Sequence, residues 1–202
     1  MTLGPRIGVL AIQGDVREHV QALESSGARA QTVGSPTDLD EVSGLVIPGG
    51  ESTTMSLLAV RDGLLDPLRE ARQGGMPMYG SCAGMIMLAD RVLDARPDQQ
   101  TIGGLDVTVR RNAFGRQVDS FETDISIEGL DDRAFPAVFV RAPWVESVGE
   151  SVRVIARLGE SSGADTIVAV TQGPLMATSF HPELTGDLRI HEMFIEMVRH
   201  YS

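Results

Sequence analysis

The sequence predicts an α/β fold: a doubly wound, mostly parallel sheet that is flanked by helices and extended by some antiparallel strands. In the first half of the chain, short apolar runs typical of strands buried on both faces alternate with helical patterns. In the second half, short β-like runs follow one another between turn residues, without a strong helix. The chain closes with an amphipathic helix at residues 190–201, which can pack on such a sheet.

The first strand and helix occupy the beginning of the chain. Residues 6–12 form a continuous apolar run, and Gln13-Gly14 turns the chain. Asp15 and Glu18 have the spacing of a capping box, and the residues after Asp15 carry a helical apolar stripe. Gly27 ends this helix.

A second strand-to-helix junction follows. A weak strand at 30–33 and a helical turn at 38–42 lead to a buried strand at 44–47, which ends at Pro48-Gly49-Gly50. The next helix starts near Ser52 or Thr53, breaks at Gly63 and ends before Gly74-Gly75.

After residue 97 the pattern changes to strands. We interpret the β-like runs there as antiparallel additions and as the remaining strands of the sheet. The runs cover residues 105–110, 121–127, 137–140, 152–158, 166–171 and 175–179.

Composition limits the possible partners. A chain of 202 residues, 42% of them hydrophobic, is long enough for one well-buried domain and short for two, so we predict that residues 1–202 form a single domain. A net charge of −11 disfavours nucleic acid and anionic membranes and leaves small molecules or proteins as partners. The single cysteine excludes an internal disulfide framework, and we find no signal-peptide pattern, so we expect a cytoplasmic location.

Cys82 lies at a predicted sharp turn between a strand and a helix. Gly80 and Gly84 bracket it as Gly-x-Cys-x-Gly, the cysteine version of a nucleophile elbow. A thiol at a helix N-terminus is more easily converted to the nucleophilic thiolate. The alternative is a small buried cysteine in an apolar turn, and this stretch alone leaves both interpretations open.

His181 is the best-placed base for such a nucleophile. It follows the apolar run 175–180, so it stands just past a strand, where α/β active sites are assembled. Pro182 favours an extended conformation at His181, which would place the carboxylate of Glu183 beside the imidazole and let it orient the ring. An ordinary loop is the alternative. The other three histidines, which we expect to be solvated or partly packed helix residues, are His19, His191 and His200.

The segment from Pro48 to Thr54 forms a third candidate loop. It lacks the lysine of a P-loop and the spacing of a dinucleotide site, so nucleotide binding has no support. Its paired glycines would let backbone approach a ligand closely, and the N–H groups of Gly50 and Ala83 could together form an oxyanion hole. The alternative is a turn with a helix cap.

In chain order, three loops at strand ends thus carry Gly-Gly-Glu, Gly-x-Cys-x-Gly and His-Pro-Glu. Together they resemble the class I, triad-type glutamine amidotransferases, a family with a flavodoxin-like fold. From Gln13-Gly14 to the last helix, the chain is similar to the family of glutaminase subunits of pyridoxal 5′-phosphate synthase. The most specific stretch is Arg-Asn-Ala-Phe-Gly-Arg-Gln at 111–117, and Trp144 departs from the histidine of some members. The other matching stretches are residues 48–55, 140–143 and 179–185.

The resemblance implies a glutaminase, a C–N hydrolase that releases ammonia from L-glutamine. Cys82 would attack the side-chain amide and form a γ-glutamyl thioester, while His181 moves the protons and Glu183 orients His181. The ammonia would pass to a synthase subunit with a (β/α)₈ barrel, which makes pyridoxal 5′-phosphate from ribose 5-phosphate and glyceraldehyde 3-phosphate. We predict no cofactor and no metal for this chain. The residues that match the family's glutamine contacts are Gly50, Glu51, Ser52, Arg111, Val140 and Arg141.

Two further expectations concern charge and partner dependence. An arginine suits the α-carboxylate of glutamine, and we expect Arg111 and Arg141 to be buried. The resemblance also implies a glutaminase that is weak or silent until the synthase docks, and Gln13-Gly14, at the end of the first strand, could sense that docking.

Two other classes of function stay open. A partner-independent γ-glutamyl hydrolase or amidase would use the same triad. A non-catalytic sensor or chaperone could use Cys82 as a redox group, although the His181-Pro182-Glu183 sequence argues against it.

Overall fold

The computed structural model describes residues 4–111, 113, 120–159 and 165–201. Ten of the strands within these ranges form one sheet in the order β2-β1-β3-β4-β12-β11-β9-β6-β5, with β10 paired to β11. The remaining two, β7 and β8, form a separate antiparallel pair. The strands are β1 (Arg6–Leu10), β2 (Arg29–Val33), β3 (Gly44–Ile47), β4 (Met78–Ser81), β5 (Ala89–Leu93), β6 (Leu105–Arg110), β7 (Ser120–Ile125), β8 (Phe135–Val140), β9 (Trp144–Val148), β10 (Arg153–Leu158), β11 (Thr166–Gln172) and β12 (Leu175–Thr178).

The first five strands of this order are all parallel. Beyond β12 the sheet continues through antiparallel pairs of β11 with β12 and with β9, and of β9 with β6. The predicted combination of a parallel sheet with antiparallel additions is therefore confirmed. The helices are α1 (Val16–Ser25), α2 (Pro36–Leu39), α3 (Ser52–Arg61), α4 (Leu65–Gln73), α5 (Ala83–Leu88) and α6 (Arg189–Tyr201), with a 3-10 turn at Pro182–Leu184.

Two hydrophobic cores lie on opposite faces of the sheet. Alternate residues of β3 show this division, because Leu45 and Ile47 belong to one core and Val46 to the other. The first core is closed by α3, α4 and α5, and the second by α1, α6 and the β7–β8 pair. Helices on both faces of a parallel sheet bury its strands completely, which explains their continuous apolar runs.

Several local details differ from the sequence-based expectations. The helix predicted after Cys82 is only six residues long, and β5 follows it directly. The runs 89–93 and 144–148 were not predicted as strands, because polar residues such as Asp90 and Glu146 interrupt their apolar pattern. The capping box of Asp15 and Glu18 does not form: Asp15 makes no side-chain cap, and Glu18 pairs with Arg17.

None of the helices in the described ranges is long and apolar enough to cross a membrane.

Candidate active site

The strand register brings the three predicted loops to one edge of the sheet. Ile47 of β3 pairs with Gly80 of β4, and Ser81 of β4 pairs with Thr178 of β12. All three strands run in the same direction, so their carboxyl ends lie side by side. The segments that leave this edge carry Gly49-Gly50, Cys82 and His181.

Cys82 occupies the turn between β4 and α5 in a strained conformation. Its backbone has φ 49° and ψ −104°, a left-handed φ that is uncommon for a residue with a side chain. The turn is held in place because the Cys82 N–H donates to the Thr178 carbonyl at 2.8 Å, and its own carbonyl accepts from Met85 at 3.0 Å. Strain of this kind is maintained at nucleophile elbows by the surrounding structure. The geometry is the one that the Gly-x-Cys-x-Gly pattern predicts.

His181 and Glu183 form a close pair beside the cysteine. The imidazole Nδ1 lies 2.7 Å from Glu183 Oε1, and the Glu183 side chain has no exposed surface. The backbone N–H of His181 donates to Val138 on β8 at 2.8 Å, which fixes the start of this loop. Gly49 leaves room for the ring, since a Cβ there would lie 2.3 Å from His181 Cε1. These contacts bring the predicted nucleophile, base and orienting carboxylate together.

The electrostatics of the site favour a protonated His181. Burial alone would lower the pKa of His181, but hydrogen bonds with Asp15, Cys82 and Glu183 outweigh it and raise that pKa. Burial raises the pKa of Glu183, while its bond to His181 acts in the opposite direction. An imidazolium next to Cys82 can supply the proton for a leaving group.

Asp15 has a place that the sequence analysis missed. Instead of capping α1, its carboxylate lies 3.4 Å from Nδ1 of His181, on the same nitrogen that faces Glu183. One ligand atom from each of Asp15, His181 and Glu183 lies within 4.8 Å of the others, a spacing that could also hold a metal ion. Within this group, His181 and Glu183 already bond to each other at 2.7 Å.

A cavity of about 290 Å³ opens onto Cys82 and His181. Every residue that we predicted to contact glutamine lines it, as do both predicted oxyanion donors. A larger open groove of about 600 Å³ lies between residues 126–132 and 154–157 and contains none of the predicted site residues. The predicted residues in the wall of the first cavity are Gly50, Glu51, Ser52, Cys82, Ala83, Arg111, Val140, Arg141 and His181.

Arg111 is held by a polar network along the wall of this cavity. Its Nη2 lies 3.0 Å from Glu51 Oε1, and its Nη1 donates to Gln99 Oε1 at 3.0 Å. The amide nitrogen of Gln99 donates in turn to Ser52 Oγ at 3.2 Å. Gln99 thus links two predicted substrate contacts, although it lies in a loop with no motif around it that could have identified it.

Glu51 serves two structural purposes in the free protein. It caps α3 by accepting from the N–H groups of Thr53 and Thr54, and it pairs with Arg111. Burial alone would raise the pKa of Glu51, but the hydrogen bonds from Thr54 and Thr53 outweigh it and lower that pKa. The carboxylate is therefore ionised and can attract the ammonium group of an amino acid.

The expectation of two buried arginines is wrong for Arg141. Arg111 is largely covered, with 15% of its side chain exposed, whereas Arg141 is an exposed residue. Arg141 also has a left-handed backbone, with φ 42°. It follows β8 directly, at the rim of the cavity, where solvent reaches its long side chain.

The expectation for two of the helical histidines is also wrong. His19 of α1 and His191 of α6 have no exposed surface, whereas His200 is exposed as expected. His19 Nδ1 lies 3.0 Å from His191 Nε2, and His19 Nε2 lies 3.3 Å from Glu183 Oε2. The helical period contained the signal, because His191 lies three, four and seven residues before the buried residues of the α6 stripe. Those residues are Phe194, Ile195 and Val198.

The most specific sequence stretch, residues 111–117, lies only partly within the described residues. Asn112 and residues 114–119, which include the Phe-Gly-Arg-Gln segment, lie outside the described residues. Only Arg111 and Ala113 of that stretch are described, and the Ala113 N–H donates to the Ala142 carbonyl at 3.1 Å.

Known proteins are similar to this chain over almost its whole length. The SNO glutamine amidotransferase family matches residues 9–200. The pyridoxal 5′-phosphate synthase subunit PdxT of Parafrankia sp. (strain EAN1pec) is 63% identical over 196 residues, covering 96% of this chain and 94% of the relative. The PdxT subunit of Rhodococcus jostii (strain RHA1) is 59% identical over 197 residues, covering 96% and 98%. A crystal structure of a glutamine amidotransferase superposes with a TM-score of 0.88 at 46% identity and covers 96% of this chain and 98% of that one.

Proposed function

The chain belongs to the SNO glutamine amidotransferase family, and on that premise we propose that it is the glutaminase subunit of a pyridoxal 5′-phosphate synthase. It hydrolyses L-glutamine to L-glutamate and ammonia. The observation that carries the proposal is the single cavity where a strained Cys82 meets the His181–Glu183 pair among groups suited to an amino acid. The identity of about 60% to PdxT subunits supports a pyridoxal 5′-phosphate synthase as the recipient of the ammonia.

The proposed reaction proceeds by covalent catalysis. The Sγ of Cys82 attacks the side-chain amide carbon of glutamine, and the negative oxygen of the tetrahedral intermediate is held by the N–H groups of Gly50 and Ala83. His181 then protonates the amide nitrogen, which leaves as ammonia and gives a γ-glutamyl thioester. A water molecule, deprotonated by His181, attacks the thioester, releases glutamate and restores the thiol. Glu183 holds the imidazole in the orientation that both proton transfers need.

The amino-acid end of glutamine is bound by charged groups on the cavity wall. The guanidinium of Arg111 matches the geometry of an α-carboxylate, and Arg141 at the rim contributes a second positive charge. The α-ammonium suits the carboxylate of Glu51 and the carbonyl of Val140, while Ser52 supplies a hydroxyl. Because Arg111 is already paired with Glu51, the incoming zwitterion exchanges one internal ion pair for two complementary contacts.

The partner in this proposal is the synthase subunit, which receives the ammonia within a hetero-oligomeric complex. Support comes from the relatives, which are named as subunits of pyridoxal 5′-phosphate synthase. We also propose that the enzyme is cytoplasmic, because the nucleophile must remain a reduced thiol to react.

Ammonia release from L-glutamine tests this proposal. The wild type and Cys82→Ala should each be assayed with and without the synthase subunit of one of the relatives, with docking monitored by size-exclusion chromatography. We expect release only when wild type and synthase are both present. Cys82→Ala should dock normally, since removing one small sulfur atom from a turn leaves the helix contacts in place.

The other outcomes identify the competing functions. Cys82-dependent release that is unaffected by the synthase would indicate a free-standing γ-glutamyl amidase. No release from any mixture, with docking demonstrated, would reject the glutaminase and leave Cys82 available for a redox role. Release that persists in Cys82→Ala would reject Cys82 as the nucleophile.

A further inference from the structure

A buried chain of polar groups continues behind the His181–Glu183 pair, on the side away from the cavity. Glu183 Oε2 lies 3.3 Å from His19 Nε2, and the other nitrogen of His19 lies 3.0 Å from His191 Nε2. His19 Nε2 is also 3.3 Å from Ser81 Oγ. The side chains of Glu183 and His19 and the residue His191 have no exposed surface. Three elements that are distant in the sequence, α1, β4 and α6, therefore meet around His19, next to the second oxygen of the Glu183 carboxylate.

This second oxygen needs a hydrogen-bond donor. Within the part of the chain that the structure describes, Glu183 Oε2 makes no aligned hydrogen bond, and an unpaired buried carboxylate oxygen is costly. His19 Nε2 is aligned with Ser81 Oγ at 3.3 Å and lies at the same distance from Oε2, and catalytic hydrogen bonds that are loose in a free enzyme often tighten in the working complex. The proton must then reside on Nε2 of His19, because two lone pairs facing each other would repel.

The positions of the remaining protons follow from this assignment. Burial lowers the pKa of His19 well below its ordinary value and that of His191 to about 4, so both rings are neutral near pH 7. With its proton on Nε2, His19 accepts at Nδ1, and His191 must donate from its own Nε2. His191 Nδ1 then carries only a lone pair, and it is the ring atom for which the described residues offer no partner. The opposite tautomers would bury an unpaired N–H at that atom, which is the less favourable arrangement.

We propose that His19 and His191 are positioning residues of the catalytic site. The two neutral rings form a relay of directed hydrogen bonds, and this relay holds the carboxylate of Glu183 ionised and turned toward His181. This inference rests on the proposed function, because it assigns a task within the same triad. His191 orients His19, His19 donates toward Oε2 of Glu183, and Oε1 of Glu183 remains free to bind His181. Neither histidine contacts the substrate.

Among the residues that the structure describes, the relay has few titratable neighbours. The groups that face Glu183 are His181, His19, Asp15 and Tyr79, and Tyr79 has a pKa that burial raises well above its ordinary value. Both rings of the relay also contact the Tyr79 ring edge-on, at centroid distances of 6.2 and 6.4 Å. A packing role against Tyr79 is the competing explanation, and it predicts that an apolar side chain of similar size would serve as well.

The tautomers provide a test that needs no activity. Long-range ¹H–¹⁵N NMR on protein labelled at histidine nitrogens, assigned with single-histidine variants, distinguishes Nδ1–H from Nε2–H rings. We expect His19 and His191 in the neutral Nε2–H form at pH 7, both in the isolated chain and in the complex with the synthase. An Nδ1–H form of His19 would overturn the relay whether or not the chain is a glutaminase.

Paired variants supply the second test, in the complex with the synthase subunit. His19→Gln keeps a donor near the Nε2 position, whereas His19→Leu removes it at similar volume, and His200→Leu on the exposed end of α6 is the matched control. We expect kcat of His19→Leu to fall roughly tenfold to a hundredfold, the effect of one hydrogen bond to a charged group, with recovery in His19→Gln. In His19→Leu, the acidic limb of the plot of kcat against pH should move to higher pH by about one unit, because Glu183 loses a donor that favours its ionised form.

Two kinetic results would overturn the inference. Equal kcat values and acid limbs in His19→Leu and the wild type would show that no donor is needed. Equal losses in His19→Leu and His19→Gln, with thermal unfolding unchanged, would show that ring packing and not hydrogen bonding is required. An inactive wild type would instead reject the proposed function, and the NMR result would still decide whether the relay exists.

Discussion

Gly84, the second glycine of the Cys82 bracket, offers a sharp test of how the elbow is built. Its position in α5 faces the backbone of β3, and a Cβ there would lie 2.1 Å from the carbonyl oxygen of Ile47 and 2.9 Å from its carbonyl carbon. Ordinary contacts between carbon and a carbonyl oxygen are about 3.3–3.6 Å, so Gly84→Ala requires α5 and β3 to move apart by roughly 1 Å. Strand β3 is paired on both sides and cannot yield, so α5 must move and carry Cys82 with it.

The expected losses follow from this displacement. Overpacking of a core against rigid backbone typically costs about 1–3 kcal/mol, and the better helix propensity of alanine offsets about 0.5–1 kcal/mol of it. The net loss of roughly 0–2.5 kcal/mol lowers the Tm of a protein of this size by up to about 10 °C. A misplacement of about 1 Å at a reacting group can reduce kcat about a hundredfold, so turnover should fall far more than stability.

Thermal unfolding and glutamine turnover in the synthase complex measure both effects. Gly74→Ala is the matched control, because Gly74 ends α4 with φ −70° and a Cβ there would meet no atom closer than 3.4 Å. It should behave as the wild type. If Gly84→Ala also keeps the wild-type Tm and kcat, the close approach of α5 to β3 is not what positions the nucleophile.

Four further substitutions test the site. Arg111→Ala should raise KM for glutamine by roughly tenfold or more and affect kcat less. Gln99→Ala should raise KM by a smaller factor, because Gln99 only supports the guanidinium of Arg111. An unchanged KM in the steady-state kinetics of both variants would contradict this role of Arg111. Gln13→Ala removes the acceptor of the Glu51 N–H, a bond of 2.8 Å, and should lower turnover in the complex; unchanged docking and turnover would remove Gln13 from the proposed docking sensor. The pKa of His191 falls from 6.5 to about 4 on folding, so below pH 6.5 the unfolded chain binds a proton at this residue that the folded chain does not, and the free energy of unfolding falls by about 3 kcal/mol as the pH drops toward 4. Denaturant unfolding of His191→Gln should lack this loss, and a difference from the wild type that does not change with pH would refute it.

Local sequence patterns were sufficient for the fold class and for the loops of the site. Strands β1 and β3 carry continuous apolar runs, whereas a half-buried strand would alternate apolar and polar residues. The runs therefore indicate a parallel sheet that is covered on both faces. The glycines around Cys82 and the Pro182 that precedes Glu183 impose turns whose geometry depends on few neighbours. The prediction of a single domain over residues 1–202 and the catalytic roles of the site residues stay predictions.

Other features were beyond local reasoning because they depend on distant partners. Strands β5 and β9 carry polar residues, and what makes them strands is their pairing with β6. The exposure of Arg141 depends on where the end of β8 meets the cavity rim. Asp15 has the local spacing of a helix cap, but the loop of His181 lies close enough to take its carboxylate instead.

The sequence by itself determined the order of strands and helices except for β5 and β9, the candidate elbow at Cys82 and the family, since each depends on residues that are close together in the chain. Only the tertiary structure decided that His19 and His191 meet behind Glu183, although 172 residues separate the two histidines. The reason is that hydrophobic period and turn chemistry are local properties, whereas the register of β4 against β12 and the packing of α1 on α6 are set by the whole core.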